Sequence, residues 1–342
     1  MRLSKPIFGL ISIGIVLVSL LTSCEVVSNQ VSKIKPKPVV LNSFTGAPGI
    51  NGPVLAVKVD DTNAAHPQIG LEYADVIYIE QVEAGLTRLL AIFSANIPNN
   101  IGPIRSVRIG DIELLAQYGR VGLAYSGAQS KMRPVIAAAN IADLGAEHNS
   151  PTVYFRDPNR SAPTDMVLNT APLMAKAKNL VMAKPMGWTF GKAPEAGAAI
   201  TGVKVSWPSA NYGALWSGTE ARWLLSYNGS PDIAASGSQL GSPTFVIQIV
   251  KISPSIYGDK FGGITPMSET VGSGHGYILR DGKVFPANWN RSNAEAGTNW
   301  LQSDGTELPF APGQIWIALT DQEPEFSYLT PKTPSATPTT TK

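Results

Sequence analysis

The chain has 342 residues, of which 44% are hydrophobic and 15% charged, with 32 glycines, 27 prolines and one cysteine. This length fits about two domains, and so much apolar content at a net charge of only +2 argues against a disordered chain. A single cysteine excludes both a disulfide framework and a cysteine-rich metal site.

The first 23 residues are typical of an export signal. Arg2 and Lys5 precede an uncharged run at 7–21, which is shorter than the roughly 20 apolar residues that span a bilayer. The run ends in Leu-Thr-Ser-Cys at 21–24 and resembles the lipobox of bacterial lipoproteins. That resemblance implies cleavage before Cys24 and acylation of its sulfur, which would anchor the chain in the lipid bilayer on the extracytoplasmic face of the cell membrane. The alternative is an uncleaved signal anchor with an incidental cysteine.

Cleavage at this point changes the charge of the chain. It would remove Arg2 and Lys5 and no acidic residue, leaving 25 basic and 25 acidic residues. General attraction to nucleic acid is then unsupported, no nucleic-acid partner is predicted, and any anion binding must be local. Because ATP and NAD(P)H are not supplied outside the cytoplasm, and no Walker or G-x-G-x-x-G motif is present, no cofactor is predicted.

A Lys/Pro-rich tether at 24–41 precedes the first predicted domain, 42–182. Its apolar patterns predict strands at 54–59, 74–82, 86–93 and 121–125, and helices at 109–117, 132–139 and 170–182. Glu83-Ala84-Gly85 separates two of these strands and predicts a hairpin turn. If Ala84 and Gly85 form a two-residue turn, Glu83 lies diagonal to Arg88 on one face, and the two would form a cross-strand ion pair. Glu80 would then point to the other face and need a different partner.

A Gly/Ala/Pro/Lys-rich linker at 183–199 leads to a mostly β domain at 200–328, followed by a Thr/Pro tail at 329–342 that we predict to be disordered. Strands are predicted at 203–207, 222–227, 244–252, 276–279, 283–286 and 314–319, with Asp281-Gly282 as a hairpin turn. Six of the seven tryptophans fall in this part and indicate an aromatic core or an aromatic binding face. The predicted fold class is therefore α+β, a mixed α/β N-terminal domain followed by a mostly β C-terminal domain.

One long stretch carries a family resemblance. LEYADVIYIEQVEAGLTRLLAIFSANIP at 71–98, followed by IGPIRSVR at 101–108, resembles the YerB-like bacterial lipoproteins, also described as a domain of unknown function. VLAVKVDD at 54–61, VYFRDPNRSAP at 153–163 and GSGHGYILRDGKVFPANW at 272–289 match the same family. The resemblance implies a two-part extracytoplasmic lipoprotein and supplies no reaction.

Charged residues in and near this stretch are the candidate ligand-binding side chains: Asp60, Glu80, Arg88, Arg105, Arg108 and Arg156. Arg105 and Arg108 lie in a Gly/Pro loop that leads into a predicted helix, and both guanidinium forks and the N–H groups at a helix start favour anions. We therefore expect an anionic envelope ligand, such as a cell-wall polymer or peptide, to bind here. The alternative is that these arginines form structural ion pairs with nearby carboxylates.

Two further functions stay open at this point. Paired carboxylates and arginines of the first domain suit an envelope hydrolase or transferase, whose catalytic residues the sequence does not identify. A partner-binding β module in the second domain would show an exposed aromatic patch. The three histidines are far apart and form no paired ligand motif, so no metal site is predicted.

Overall fold

The computed structural model describes residues 39–259 and 261–329. The predicted signal peptide, Cys24, almost all of the tether and the tail from residue 330 lie outside these ranges. Within them the fold is mostly β with few helices, so the predicted α+β class contains too much helix. The apolar runs of the first part form strands more often than helices because they pair into a sheet that also includes strands of the second part.

The strands of the first part, up to residue 182, are short. They are β1 (Leu55–Asp60), β2 (Val76–Gln81), β3 (Thr87–Phe93), β4 (Asn100–Ile101), β5 (Val121–Ala124), β6 (Ile141–Asp143), β7 (Tyr154–Arg156) and β8 (Met166–Asn169). The strands predicted at 54–59, 74–82, 86–93 and 121–125 are confirmed as β1, β2, β3 and β5, within two residues at each end.

The second part contains β9 (Ala198–Trp207), β10 (Ala210–Ser217), β11 (Arg222–Tyr227), β12 (Ser230–Pro231), β13 (Gly241–Ser242), β14 (Thr244–Ile249), β15 (Ile252–Gly258), β16 (Ile264–Ser268), β17 (Gly272–Arg280), β18 (Lys283–Arg291), β19 (Asn299–Leu301), β20 (Ile315–Thr320) and β21 (Glu325–Tyr328). The Asp281-Gly282 turn is confirmed, since Arg280 pairs with Lys283 and both turn residues have positive φ. The strand predicted at 244–252 ends at Ile249, and β15 begins at Ile252.

The α-helices in the described ranges are α1 (Ile109–Ala116), α2 (Arg133–Ala138) and α3 (Thr170–Lys176). Single 3-10 turns occupy Asn63–Ala65, Leu71–Tyr73, Glu83–Gly85, Ser130–Met132 and Ala146–His148. The helix predicted to reach residue 182 stops at Lys176, because Ala177 is extended and Asn179 adopts a φ of 58°. Among the described helices, none has the length and apolar content needed to cross a bilayer.

A single twisted sheet connects the two parts of the chain. Its strands follow the order β12-β11-β10-β9-β18-β17-β14-β20-β2-β3-β1-β5-β6. Strand β20 lies parallel to both of its neighbours, β14 and β2, and joins early strands to late ones. The described residues from Leu41 onward form one compact unit. The division of the chain at 183–199 stays a prediction.

Each face of the sheet covers its own hydrophobic core. Alternate residues in and directly before β1 supply the two cores: Val57 and Val59 face one, and Val54 and Ala56 face the other. The tryptophans at 289, 300 and 316 are buried in these cores, which confirms core packing for them and leaves none of the three for an aromatic platform.

A partly buried imidazole connects the segment after β1 with the segment after β12. His66 Nδ1 lies 3.0 Å from Asp232 Oδ1, and its Nε2 lies 3.4 Å from Asp61 Oδ1. The ring stacks on Tyr227 with 4.3 Å between centroids. Burial alone would lower the pKa of His66, but the hydrogen bonds and charges of Asp232 and Asp61 outweigh it and raise the pKa to about 9.

Strand β20 gives the first testable prediction. Ile317 is 2% exposed between β14 and β2, so Ile317→Ala should lower the free energy of unfolding by about 2 to 5 kcal/mol through lost burial and a cavity. Leu215→Ala is the matched control, because this strand residue is 63% exposed and should change stability by under about 0.5 kcal/mol. Urea unfolding measures both variants. Equal effects would show that β20 does not hold the sheet together.

Candidate functional site

Three charged residues lie side by side where the central strands end. Asp60 of β1 and Glu80 of β2 are both directly opposite Arg88 of β3. Residues directly opposite each other in neighbouring strands share a face, so all three belong to one face of the sheet. The predicted register was wrong by one residue. The turn has three residues, with Ala84 at a φ of 59°, and Glu80 therefore shares the face of Arg88.

A buried lysine bridges Glu80 and Asp111. Lys58 Nζ lies 2.9 Å from Glu80 Oε1 and 2.7 Å from Asp111 Oδ1, and all three side chains are buried. The second oxygen of Asp111 accepts the backbone N–H of Arg108 at 2.6 Å, at the start of α1. Burial, together with the negative charge of Asp111, raises the pKa of Glu80 to about 8, although Lys58 opposes the shift.

Asp60 is the partner of Arg105. Its Oδ2 lies 2.6 Å from Arg105 Nε, while its Oδ1 accepts the backbone N–H of Thr62 at 3.0 Å. The Nε–Oδ2 contact is close, but it does not have the alignment of a hydrogen bond. Asp60 is fully buried and a quarter of the Arg105 side chain is exposed, so the pair presents its cationic end to solvent.

Glu83 is the partner of Arg108. Arg108 Nε and Nη2 donate to Glu83 Oε2 at 3.0 and 2.8 Å, and Nε lies 2.7 Å from Oε1. Thr265 of β16 donates its hydroxyl to Glu83 Oε1. Burial opposes ionisation of Glu83, but these hydrogen bonds hold the pKa of its carboxyl below the usual value. The predicted alternative of structural ion pairs therefore applies to Arg108 and Arg105, and the partner predicted for Glu83 was wrong.

Arg88 differs from the other two arginines. It makes no ion pair within the described residues, and the hydrogen bond of its half-buried side chain is from Nη1 to Ser106 O at 3.1 Å. Arg108 Nη1 lies 3.5 Å from the same carbonyl oxygen, so the two guanidiniums converge on one point. Burial and the charges of Arg108 and Arg105 lower the pKa of Arg88 to about 10, which leaves it a cation at neutral pH.

These three arginines line one cavity of about 750 Å³, which we call the arginine cavity. Its other walls are the β2–β3 turn, the segment 127–130 and the start of the loop after β15. The carboxylates in its lining have other partners. Glu83 binds Arg108, Glu147 binds Arg133, and Asp259 accepts backbone N–H groups of its own loop. Arg88 is therefore the cation of the cavity without a carboxylate partner among the described residues.

The structure brings some of the predicted site residues together and separates others. Arg88, Arg105 and Arg108 meet in the arginine cavity, whereas Asp60 and Glu80 are buried behind it. Arg156 lies outside the cavity lining, pairs with Asp165 and has 60% of its side chain exposed.

The sequence did not identify Lys58 and Thr265 as part of this site. Lys58 binds the carboxylate of Glu80, and Thr265 binds the carboxylate of Glu83. A lysine in the middle of the apolar strand VLAVKVDD at 54–61 was the available signal for Lys58, since a cation buried there requires carboxylate partners. No comparable signal marks Thr265, because its partner lies 182 residues away in the chain.

Known family models and relatives match most of this chain. The family described as "Protein of unknown function (DUF3048) N-terminal domain" matches residues 44–183, and its "C-terminal domain" matches residues 203–317. The "Putative lipoprotein YerB" of Bacillus subtilis (strain 168) is 24% identical over 268 residues, which is 77% of this chain and 80% of that protein. The crystal structure of the YerB protein from Bacillus subtilis covers 84% of this chain and 99% of its own, with 20% identity and a TM-score of 0.72. This likeness shows a shared fold.

The buried carboxyl of Glu80 predicts a pH dependence of stability. Between about pH 4.3 and 8 the Glu80 carboxyl is protonated in the folded chain and ionised in the unfolded chain. The contribution of this protonation to stability is therefore lost as the pH rises through this window. The Glu80→Gln variant keeps a side-chain oxygen that can accept from Lys58, but its amide does not ionise. We expect the stability of the variant relative to the parent to rise between pH 5 and pH 8 by more than about 1.4 kcal/mol, the equivalent of one pKa unit.

Urea unfolding at pH 5, 6, 7 and 8 measures this difference, and subtraction removes the contributions of other titrating groups. Glu147→Gln is the control, because this half-exposed carboxylate pairs with Arg133 at the surface and its removal should give a constant offset. Parallel stability curves for Glu80→Gln and the parent would contradict a protonated Glu80.

Proposed function

The chain belongs to the family of proteins of unknown function (DUF3048), and we propose that this member is a lipid-anchored extracytoplasmic protein that binds an anionic envelope ligand in the arginine cavity. The observation that carries the proposal is Arg88, a cation without a carboxylate partner in the described chain, held beside Arg105 and Arg108. Together with the paired carboxylates Asp60 and Glu83, the three guanidiniums leave an excess of one positive charge, which an anionic ligand would balance. A phosphate or carboxylate group in the cavity would supply that charge.

The arrangement of the carboxylates favours binding over hydrolysis or group transfer. Asp60 and Glu80 are buried, each is next to a cation, and neither lines the cavity. A general acid or base must reach the reacting group directly or through one water. These two carboxylates therefore have a structural role, and the proposed ligand is bound without chemistry by them.

Anchoring is supported by the sequence around Cys24 and by the name of the Bacillus relative, which describes a lipoprotein. Two or three acyl chains on one residue hold a protein to a bilayer stably, which a single chain does not. The tether at 24–41 would then place the compact unit on the outer side of the membrane. A cell-wall polymer or peptide with anionic groups is the class of ligand present there.

Removal of the unpaired guanidinium tests the anion site. Arg88→Gln should weaken the binding of methyl phosphate at least about tenfold, because a charge-assisted hydrogen bond contributes roughly 1.5–3 kcal/mol. Isothermal titration calorimetry at low salt on the chain from residue 25 onward measures the dissociation constant. Circular dichroism and urea unfolding confirm that the variant is folded.

Arg156→Gln is the matched control for this experiment. It removes the same charge from an exposed side chain outside the cavity, so general electrostatic attraction falls equally. Its dissociation constant should stay within about twofold of the parent value. If both variants lose affinity to the same extent, or if the parent does not bind, the arginine cavity is not an anion site.

Lipidation has its own test in the intact bacterium. With an alkyne-labelled fatty acid in the medium, the parent should incorporate label and lose residues 1–23, whereas Cys24→Ala should do neither. Ser23→Ala is the control, because it changes a neighbouring small residue and retains the sulfur. Gel fluorescence and intact mass report the two events. Label on the Cys24→Ala chain would contradict acylation at this position.

A further inference from the structure

The hairpin formed by β15 and β16 is joined to the arginine cavity. Gly258, Asp259 and Phe261, at and after the end of β15, belong to the cavity lining. Gly258 donates its N–H to Gln129 Oε1 at 3.3 Å, across the cavity wall. Thr265 of the same hairpin bonds to Glu83, the partner of Arg108. The hairpin is thus held in place by the residues that position the arginines.

This hairpin also exposes apolar side chains. Phe261 and Ile256 are 84% and 82% exposed, and within the described residues no other large hydrophobic side chain is as exposed. Ile264, on the opposite strand, is 60% exposed. Single exposed hydrophobic residues are ordinary, but on this hairpin Phe261 lines the arginine cavity and Ile264 lines the cavity next to it, where each could contact the apolar part of a ligand.

A second cavity of about 260 Å³, which we call the hairpin cavity, adjoins the first. Six of its ten lining residues are apolar: Val82, Ala84, Ile252, Pro254, Ile264 and Pro266. Val82 and Ala84 line both cavities, so only the β2–β3 turn separates them. A cationic compartment and one with mixed polar and apolar walls, to which Ile264 contributes, therefore lie next to each other.

We propose that the arginine cavity and the hairpin cavity together bind one amphiphilic anion, with its phosphate-like headgroup on the guanidiniums and its hydrocarbon chain against Ile264 and Phe261. This inference rests on the proposed anion site and names the chemical class of its ligand. A small hydrophilic anion would use only the arginines and would leave the apolar side chains of the hairpin in water. An amphiphile satisfies both surfaces, since each methylene that it buries raises the affinity about fourfold.

Two ligands with the same headgroup and different tails test the proposal. Methyl phosphate presents the headgroup alone, and decyl phosphate, kept below its micelle concentration, adds the hydrocarbon chain. On the chain from residue 25 onward, decyl phosphate should bind at least tenfold more tightly than methyl phosphate by isothermal titration calorimetry. Arg88→Gln should weaken the binding of both ligands.

Ile264→Ser should abolish most of the preference for decyl phosphate and leave the affinity for methyl phosphate unchanged. Ile50→Ser is the matched control, because Ile50 is 63% exposed, close to the value for Ile264, and lines neither cavity. The control should keep the full preference. Because both side chains are exposed, both variants should fold, and urea unfolding checks this.

The outcomes separate the two proposals. Equal, Arg88-dependent affinities for the two phosphates would leave the anion site standing and overturn the amphiphile. A preference for decyl phosphate that survives Ile264→Ser would also overturn it, since the chain would bind elsewhere. If neither ligand binds, the anion site itself fails and the inference fails with it.

Vesicles identify the source of the amphiphile once decyl phosphate binds as expected. Phosphatidylcholine vesicles with and without phosphatidylglycerol should be compared by cosedimentation. Binding that requires phosphatidylglycerol and is lost in Ile264→Ser supports a lipid of the bilayer, and a failure to bind vesicles supports a soluble lipid-like ligand. Vesicle binding that is insensitive to both Arg88→Gln and Ile264→Ser, without binding of decyl phosphate, would overturn the proposal in favour of general surface adsorption.

Discussion

The parallel pairing of β20 with β2 and β14 is the contact on which the architecture depends. Residues 315–320 lie late in the chain but occupy the centre of the sheet, beside strands from residues 76–93. This pairing continues the sheet of the first part into that of the second. It also determines which surfaces meet, since the β15–β16 hairpin packs against α1 and the β2–β3 turn, at the edge where the arginines lie. The site is therefore a product of long-range strand pairing.

Buried charge imposes the second constraint. Taking an ion out of water costs several kcal/mol unless a partner compensates for it. Most buried charges near the arginine cavity have such a partner: Lys58 contacts Glu80 and Asp111, Asp60 contacts Arg105, and Glu83 contacts Arg108. Two cations depart from this pattern among the described residues. Fully buried Arg291 also lacks a carboxylate partner, but it donates to the Thr270 hydroxyl and to three backbone carbonyl oxygens. Arg88 has only the carbonyl oxygen of Ser106, so its hydrogen-bonding capacity is the less satisfied of the two. Local breaks in an otherwise satisfied network are where binding sites are expected, because the missing partner is supplied by the ligand.

Much of the sheet could be predicted from the sequence, and parts of the site could not. Alternating or continuous apolar runs identified β1, β2, β3, β5 and β11, and the Gly/Pro loop before α1 directed attention to Arg105 and Arg108. The turn between β2 and β3 was placed one residue out, because an alanine in left-handed conformation has no sequence signature and a one-residue slip reverses every side chain. The β15–β16 hairpin was missed because its Pro, Ser and Gly content resembles a loop. Thr265 acts through a partner distant in sequence, which no local pattern shows. The position of Lys58 in an apolar strand indicated that it needs carboxylate partners but could not identify them as Glu80 and Asp111.

The charge balance implies that the proposed anion site would act locally and not through general attraction. If residues 1–23 are removed, basic and acidic residues are equal in number, so no long-range field draws anions to this chain. Attraction must then come from guanidiniums that are already positioned and partly desolvated, where each charge acts at short range in a lower dielectric. Asp60 and Glu83 fix Arg105 and Arg108 in orientation but reduce their net charge. Arg88 retains its full charge, and its half-buried position lowers the local dielectric in which a bound anion would act. Affinity at the proposed site would thus depend on one cation without a carboxylate partner, beside two arginines that have one.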